Sequence, residues 1–300
     1  MGGVSDLSTI PSAEPVLRQL ELTINRKLDG LVHGDHEGLV PGPGSENGGG
    51  RRYEPGDDVR RIDWNLTARS GDVQVRTTIA DRELETWFVV DGTASVDFGT
   101  AIQEKRDLAL AVVAAFGFLT ARAGNRVAAV VYDADQLRVI PPVAGRDATL
   151  SLLAALHRRP RSSGGSASLA DALRRVRRLA RRRGLVVVVS DLLDHDEWMP
   201  ELRSLAARHE VVVAHLADPR EDDIPPVGLL TLVDPETGAR AEVQTSSRRF
   251  RERYAQASRS RREAAIAEVR AARADLIAVS TDRDWLPDVV RHVARGRRRR

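Results

Sequence analysis

The sequence predicts an α/β fold: a mostly parallel sheet with helices on both faces, preceded by a helix and an extended arm. From residue 81 onward, short Val/Ile/Leu-rich runs alternate with longer helix-period segments, as expected of strands buried on both sides. Two of these runs, WFVV at 87–90 and LVVVVS at 185–190, each deliver an aspartate at the carboxyl end, Asp91 and Asp191. In open α/β sheets that edge carries the ligand crevice.

Composition narrows the classes. With 42% hydrophobic and 30% charged residues the chain can bury a real core. The absence of cysteine excludes disulfides, zinc-thiolate sites and thiol nucleophiles. The 46 basic residues nearly balance 43 acidic ones, so no strong cationic field is expected. Only Lys27 and Lys105 are lysines; every other cation is arginine. The longest apolar stretch, 108–121, is shorter than the roughly 20 residues of a spanning helix and reads as a buried helix. With no signal-peptide pattern at the start, a cytoplasmic protein without a membrane span is expected.

In order, residues 1–32 comprise a leader and an amphipathic helix over 16–31, with apolar residues at 17, 20, 24, 28 and 31. Residues 33–80 hold a Gly/Pro-rich loop and a charged arm. His33 and His36 make a weak metal signature without a cysteine or a helix to fix them. The arm, RRYEPGDDVRRIDWNLTAR from residue 51, interleaves arginines with acids and apolar residues. Its Trp64 reads as buried, favouring an ordered structural arm over a solvated loop. The main domain spans 81–296. Strands are expected at 86–91, 126–132, 136–140 (an antiparallel edge), 185–190, 210–217 and 275–280. Helices are expected at 101–123, 148–158, 169–183, 198–208, 247–274 and 285–295, with a polar hairpin around 234–238. The tail Arg297–Arg300 reads as a solvated end. The arginines of 158–183 lack clustered aromatics, so nucleic acid is an improbable partner.

After Asp91, Thr93 and Ser95 follow at alternate positions, so a turn leaving the strand can aim all three at one point. One carboxylate with two hydroxyls suits a hard divalent cation such as Mg2+. The plainer alternative is that Asp91 and Thr93 satisfy local backbone N–H groups. Asp191 reaches the same sheet edge, and the loop before the 169–183 helix supplies Ser166 and Ser168. Two chemistries use such a set. One is phosphoryl transfer of the haloacid-dehalogenase type with Asp91 as nucleophile. Against it, Thr93 stands where a second aspartate is usual, and 169–184 has no lysine to stabilise charge.

The other is adhesion through metal. Asp91-x-Thr93-x-Ser95, a hydroxyl-bearing loop and Asp191 resemble the metal-ion-dependent adhesion site of von Willebrand factor A domains. The family's Gly-Gly-Thr-x-Leu appears one residue longer here, as Gly164-Gly165-Ser166-Ala167-Ser168-Leu169, so Ser166, Ser168 or neither stands for the threonine. The arm closely resembles the signature R-x-Y-x-P-G-D-D-x-R-x-I-D-W-x-x-x-A-R of the MoxR-associated family, domain of unknown function fifty-eight. Arg51 fills the first position, and the likeness runs from about His33 to Trp285. The resemblance implies a von Willebrand A-like domain behind an arm, and a partnership with a MoxR-type AAA+ ATPase in chaperone-like assembly of client proteins. The expectation is a non-enzymatic binding module. Mg2+ or another divalent cation would be held by Asp91, Thr93, Ser95, Ser166 or Ser168, and Asp191, with an open position for an acidic residue of the ATPase or client.

Overall fold

The structure, a computed structural model, describes residues 48–55, 57, 59, 62–77, 85–99, 102–121, 125–133, 136–162, 167–193, 197–289 and 291–292, with helical positions 18, 21, 22, 24 and 26. Two compact units emerge, one of residues 40–83 and one of 1–39 with 84–300.

The smaller unit pairs strand β1 (Gly48–Arg52) antiparallel with β2 (Gln74–Thr77), with helix α1 (Trp64–Ser70) between them. Asp63 starts the helix as its N-cap, its carboxylate accepting from the N–H groups of Asn65 and Leu66, both at 3.1 Å. Ile62 bridges to the buried Val75. The described residues of the arm form strand and helix, but the expectation for Trp64 is corrected. At the first helical position its side chain is 70% exposed, because the short helix buries none of its residues.

The larger unit is built on six strands: β3 (Glu85–Asp91), β4 (Arg126–Asp133), β5 (Gln136–Ala144), β6 (Leu185–Ser190), β7 (Glu210–Ala217) and, after a hairpin of β8 (Leu229–Val233) and β9 (Arg240–Gln244), β10 (Asp275–Ser280). Their order is β10-β7-β6-β3-β4-β5, parallel except for the antiparallel edge strand β5. Along each strand successive side chains alternate between faces. Phe88, Val90, Val187 and Val189 meet helices α2 (Lys105–Ala121) and α3 (Arg146–His157). Trp87, Val89, Val186 and Val188 meet α4 (Leu169–Leu179), α5 (Met199–Ala206) and the end of α6 (Arg248–Ala271). Every residue of β3 is buried, as the central strand of a doubly covered sheet must be. Ile24 of the N-terminal helix joins the α2–α3 core.

The α2 helix is apolar nearly all round because it is sandwiched. The α4 helix is sharply amphipathic, with Leu169, Ala172, Leu173 and Val176 inward and its arginines outward. Helix α2 starts at 105 rather than 101, since the chain first completes the turn after Asp91. Strand β5 runs on to Ala144, with Pro141 and Pro142 at a bulge opposite Ala128. Among the described residues no helix is long and apolar enough to cross a membrane.

Candidate functional site

Strand order places the site. Strand β3 has its sequence neighbour β4 on one side and β6 on the other, so the order reverses between β3 and β6 and a crevice opens beyond their carboxyl ends. The register then decides which side chains meet there. Val90 lies opposite Val189, which sets Asp91 level with Ser190, while Asp91 itself pairs with Tyr132 on β4. Both neighbours point to the face that Asp91 uses and donate to its Oδ2, each at 2.7 Å. Thr93 donates its backbone N–H (3.0 Å) and its hydroxyl (2.6 Å) to Oδ1. The local backbone role foreseen for this pair is present, alongside a wider network.

Asp191, one residue beyond the strand, leaves on the opposite face. There it meets the buried ammonium of Lys105 at 2.7 Å, at the start of α2. Lys105 also bonds Glu221, on the turn following β7. The backbone after Asp191 folds into the left-handed region at Leu192 (φ 57°), so that Leu193 N–H caps Asp191 Oδ1 at 3.1 Å. A strained, buried leucine at this spot is held there by its surroundings. The Ser95 hydroxyl bonds Asp191 and lies 3.0 Å from that of Thr93. Asp91, Thr93, Ser95 and Asp191 are thereby joined in one chain of contacts. Ser166 lies outside the described residues. Ser168 is buried as the N-cap of α4, its hydroxyl bonded to the Asp171 carboxylate and N–H. His33 and His36 also lie outside the described residues.

The turn is clamped from behind. Arg159 bonds Gly92 O and reaches Asp97 Oδ1 at 2.7 Å, while Ser162 N–H holds Asp97 Oδ2 at 2.8 Å. From the front, Glu236 at the tip of the β8–β9 hairpin accepts the Ser95 N–H at 2.8 Å.

Burial, then the nearby Asp191, pushes Asp91 up to about 6. Burial also works against the charge of Asp191, but Lys105 outweighs it and holds the carboxyl below its ordinary value. Burial opposes the Lys105 ammonium too, yet the two carboxylates raise it. Tyr132 is driven well above its usual range by burial and by Asp91, so it remains a donor. Burial pushes His215 down to about 4, so this neighbour adds no cation at neutral pH.

The donor set fits a hard cation. The Thr93 hydroxyl donates to Asp91 and is itself hydrogen-bonded to the Ser95 hydroxyl, so one carboxylate and two hydroxyls converge at the turn. Asp191 and Glu221 share the single Lys105 ammonium, leaving surplus negative charge on that side. Among the described residues no three His, Cys, Asp or Glu side chains cluster as a metal site by themselves, so hydroxyls would have to contribute. Space is tight: clefts of about 40 Å³ beside Asp191 and about 20 Å³ beside Asp91 lie far below the several hundred Å³ of a metabolite pocket. A larger cavity of about 660 Å³ lies on the flank of α3, lined by Arg138, Arg146 and Arg158 and by none of these site residues.

Sequence reasoning missed Lys105, Tyr132, Ser190, Glu221 and Glu236. Lys105 carried a signal, being the one lysine of the main domain among many arginines. Tyr132 and Ser190 could be seen only as polar ends of apolar strands. Nothing marked Glu221.

The fold is mixed α/β, a mostly parallel six-stranded sheet covered by helices, with one antiparallel edge and a D-x-T-x-S turn at its switch point. Residues 49–264 match the family described as "Protein of unknown function DUF58", and the chain belongs to that family. Uncharacterized protein Rv1480 of Mycobacterium tuberculosis is 46% identical over 289 residues, covering 96% of this chain and 91% of the relative. Uncharacterized protein MAV169 of Mycobacterium avium is 36% identical over 160 residues, covering 53% of this chain and 94% of the relative. Among solved structures, BatB from Bacteroides thetaiotaomicron aligns with a TM-score of 0.48 at 12% identity, over 72% of this chain and 99% of that one. An aerotolerance-related membrane protein from Bacteroides fragilis gives 0.46 at 13%, over 72% and 100%. The SpRpn10 VWA domain gives 0.38 at 13%, over 70% and 94%. Likeness at this level carries no functional information. The haloacid-dehalogenase alternative finds no support: the cleft beside Asp91 would not admit a phosphorylated substrate.

Proposed function

We propose that this chain is a non-enzymatic protein-binding module whose docking point is the Asp91–Thr93–Ser95 turn, working through a divalent cation, Mg2+ by donor chemistry. Asp91, Thr93 and Ser95 would hold the ion directly or through water. Asp191 would act at one remove, because Lys105 already claims it. Ser166 or Ser168 would add a hydroxyl, Ser168 only by giving up its cap on α4. When bound, the ion supplies an electrophilic point for an Asp or Glu of a partner. The family resemblance suggests a MoxR-type AAA+ ATPase or its client as that partner, in the cytoplasm.

The observation that carries this reading is the continuous chain of oxygens from Asp91 through Thr93 and Ser95 to Asp191. Exposed Phe98, Ile102 and Leu193 on the surrounding loops add apolar surface of the kind protein interfaces use. The test is calorimetric titration with MgCl2 together with retention of the co-expressed ATPase. Asp91→Ala should lose Mg2+ binding and ATPase retention while keeping its circular dichroism spectrum. Retention unchanged by that substitution or by EDTA would overturn the reading.

A further inference from the structure

The β8–β9 hairpin has no part in the core. Strand β8 alternates exposed and half-buried residues, β9 is exposed at all but Val243, and neither packs extensively on any other named element. Leu229 and Val233 are left in solvent. A two-stranded ribbon of this kind has little stability of its own. Its base, by contrast, is fixed. The fully buried Thr245 donates its N–H and its hydroxyl to Gly228 O, both at 2.7 Å, and accepts the Val227 N–H at 2.9 Å.

The tip is fixed as well. The Asp234 carboxylate accepts the Glu236 N–H at 2.9 Å and the Thr237 hydroxyl at 2.7 Å. Gly238 closes the turn at φ 70°, where a side chain would be strained. The result is a preformed turn that presents Glu236, and its carboxylate sits on Ser95 N–H, 141 residues away in sequence. That N–H belongs to the residue whose hydroxyl bonds Asp191 and lies against Thr93. An acidic side chain has thus been brought onto the turn that carries Thr93 and Ser95.

We infer that Glu236 is a tethered pseudo-ligand: the hairpin places it on the Ser95 N–H at the mouth of the Asp91–Thr93–Ser95 turn, where it stands in for a partner's carboxylate and must be displaced before an acidic segment docks. The inference rests on the carboxylate-accepting reading of that turn and adds its regulation. The firm base and weak strands suit a flap that swings as a unit. Because the competitor is intramolecular, its effective concentration is in the millimolar range, and weak acidic ligands are excluded while tight ones are admitted. The occupant so selected is an extended acidic turn resembling the tip itself, Val-Asp-Pro-Glu-Thr-Gly-Ala at 233–239.

The experiment uses the full chain, Glu236→Ala and a synthetic heptapeptide copy of residues 233–239, with a control peptide carrying glutamine in place of the glutamate. In Mg2+ buffer Glu236→Ala should bind the peptide about tenfold more tightly than the unaltered chain, with the control peptide binding neither. In the absence of peptide the Ser95 amide should exchange its hydrogen about tenfold faster in Glu236→Ala. Equal Ser95 exchange in the two chains, or equal peptide affinity, would overturn the tether while leaving Mg2+ binding by Asp91 intact. If instead the tether effects appear equally in EDTA, it is the metal reading that fails and the pseudo-ligand that stands.

Discussion

Among the described residues the carboxyl of Asp91 has four donors and no cation of its own. Burial, helped by Asp191, moves its titration from an ordinary 3.8 to about 6, so its neutral form favours the folded state. That contribution is fully present below about pH 3.8 and is lost as pH rises through about 6, a window worth roughly 3 kcal/mol. In EDTA, urea midpoints of the unaltered chain should therefore fall relative to Asp91→Asn between pH 4.5 and pH 8. A constant difference between the two proteins would refute the shift. Lys105 poses the complementary case. Its ammonium is wholly buried against Asp191 and Glu221, and replacing it with methionine strands a buried carboxylate at a cost of about 3–5 kcal/mol. Adding Asp191→Asn to Lys105→Met should restore much of that stability in urea denaturation. A double variant no more stable than the single one would show the pair to be uncoupled. The sequence offered Asp91, Thr93, Ser95 and Asp191 because polar residues ending an apolar strand stand out. It hid Lys105's role because the distance from Lys105 to Asp191 exists only after α2 has been laid across the sheet.

Among the elements, the strands were the most legible part of the chain. Strand β6 and strand β7 have the bounds expected from their unbroken valine runs, and so does β10. Helix ends were less so: α4 stops at Leu179 rather than Arg183, since Ala180 turns out of helical geometry to bring the chain back under β6. Register was invisible in the sequence. WFVV-Asp and LVVVV-Ser-Asp look equivalent, yet the extra serine sends the second aspartate to the other face and puts Ser190 beside the first. The entry to β6 depends on Gly184, where a Cβ would lie 2.1 Å from Glu85 O on β3. Gly184→Ala must push the two strands apart at their start. Its expected cost is about 2–4 kcal/mol by analogy with other steric insertions into a packed core, read as a lowered thermal midpoint with Mg2+ absent. A midpoint within a degree of the parent would contradict the close approach.

At the scale of the whole molecule, the architecture followed from alternation of strand and helix. The unit of 40–83 is interposed between an N-terminal helix that contributes Ile24 to the main core and the strand that begins the sheet. Charge alternation in the arm suggested order, and Asp63 and the Arg52–Asp72 pair at 2.6 Å supply it, but the exposure of Trp64 depends on how little a seven-residue helix can cover. The edge strand β5 carries a last consequence. Pro141 and Pro142 sit together at its bulge and offer no N–H to a visiting strand. Over that stretch the border of the sheet offers a visiting strand no donors, which works against ribbon-like growth between copies there.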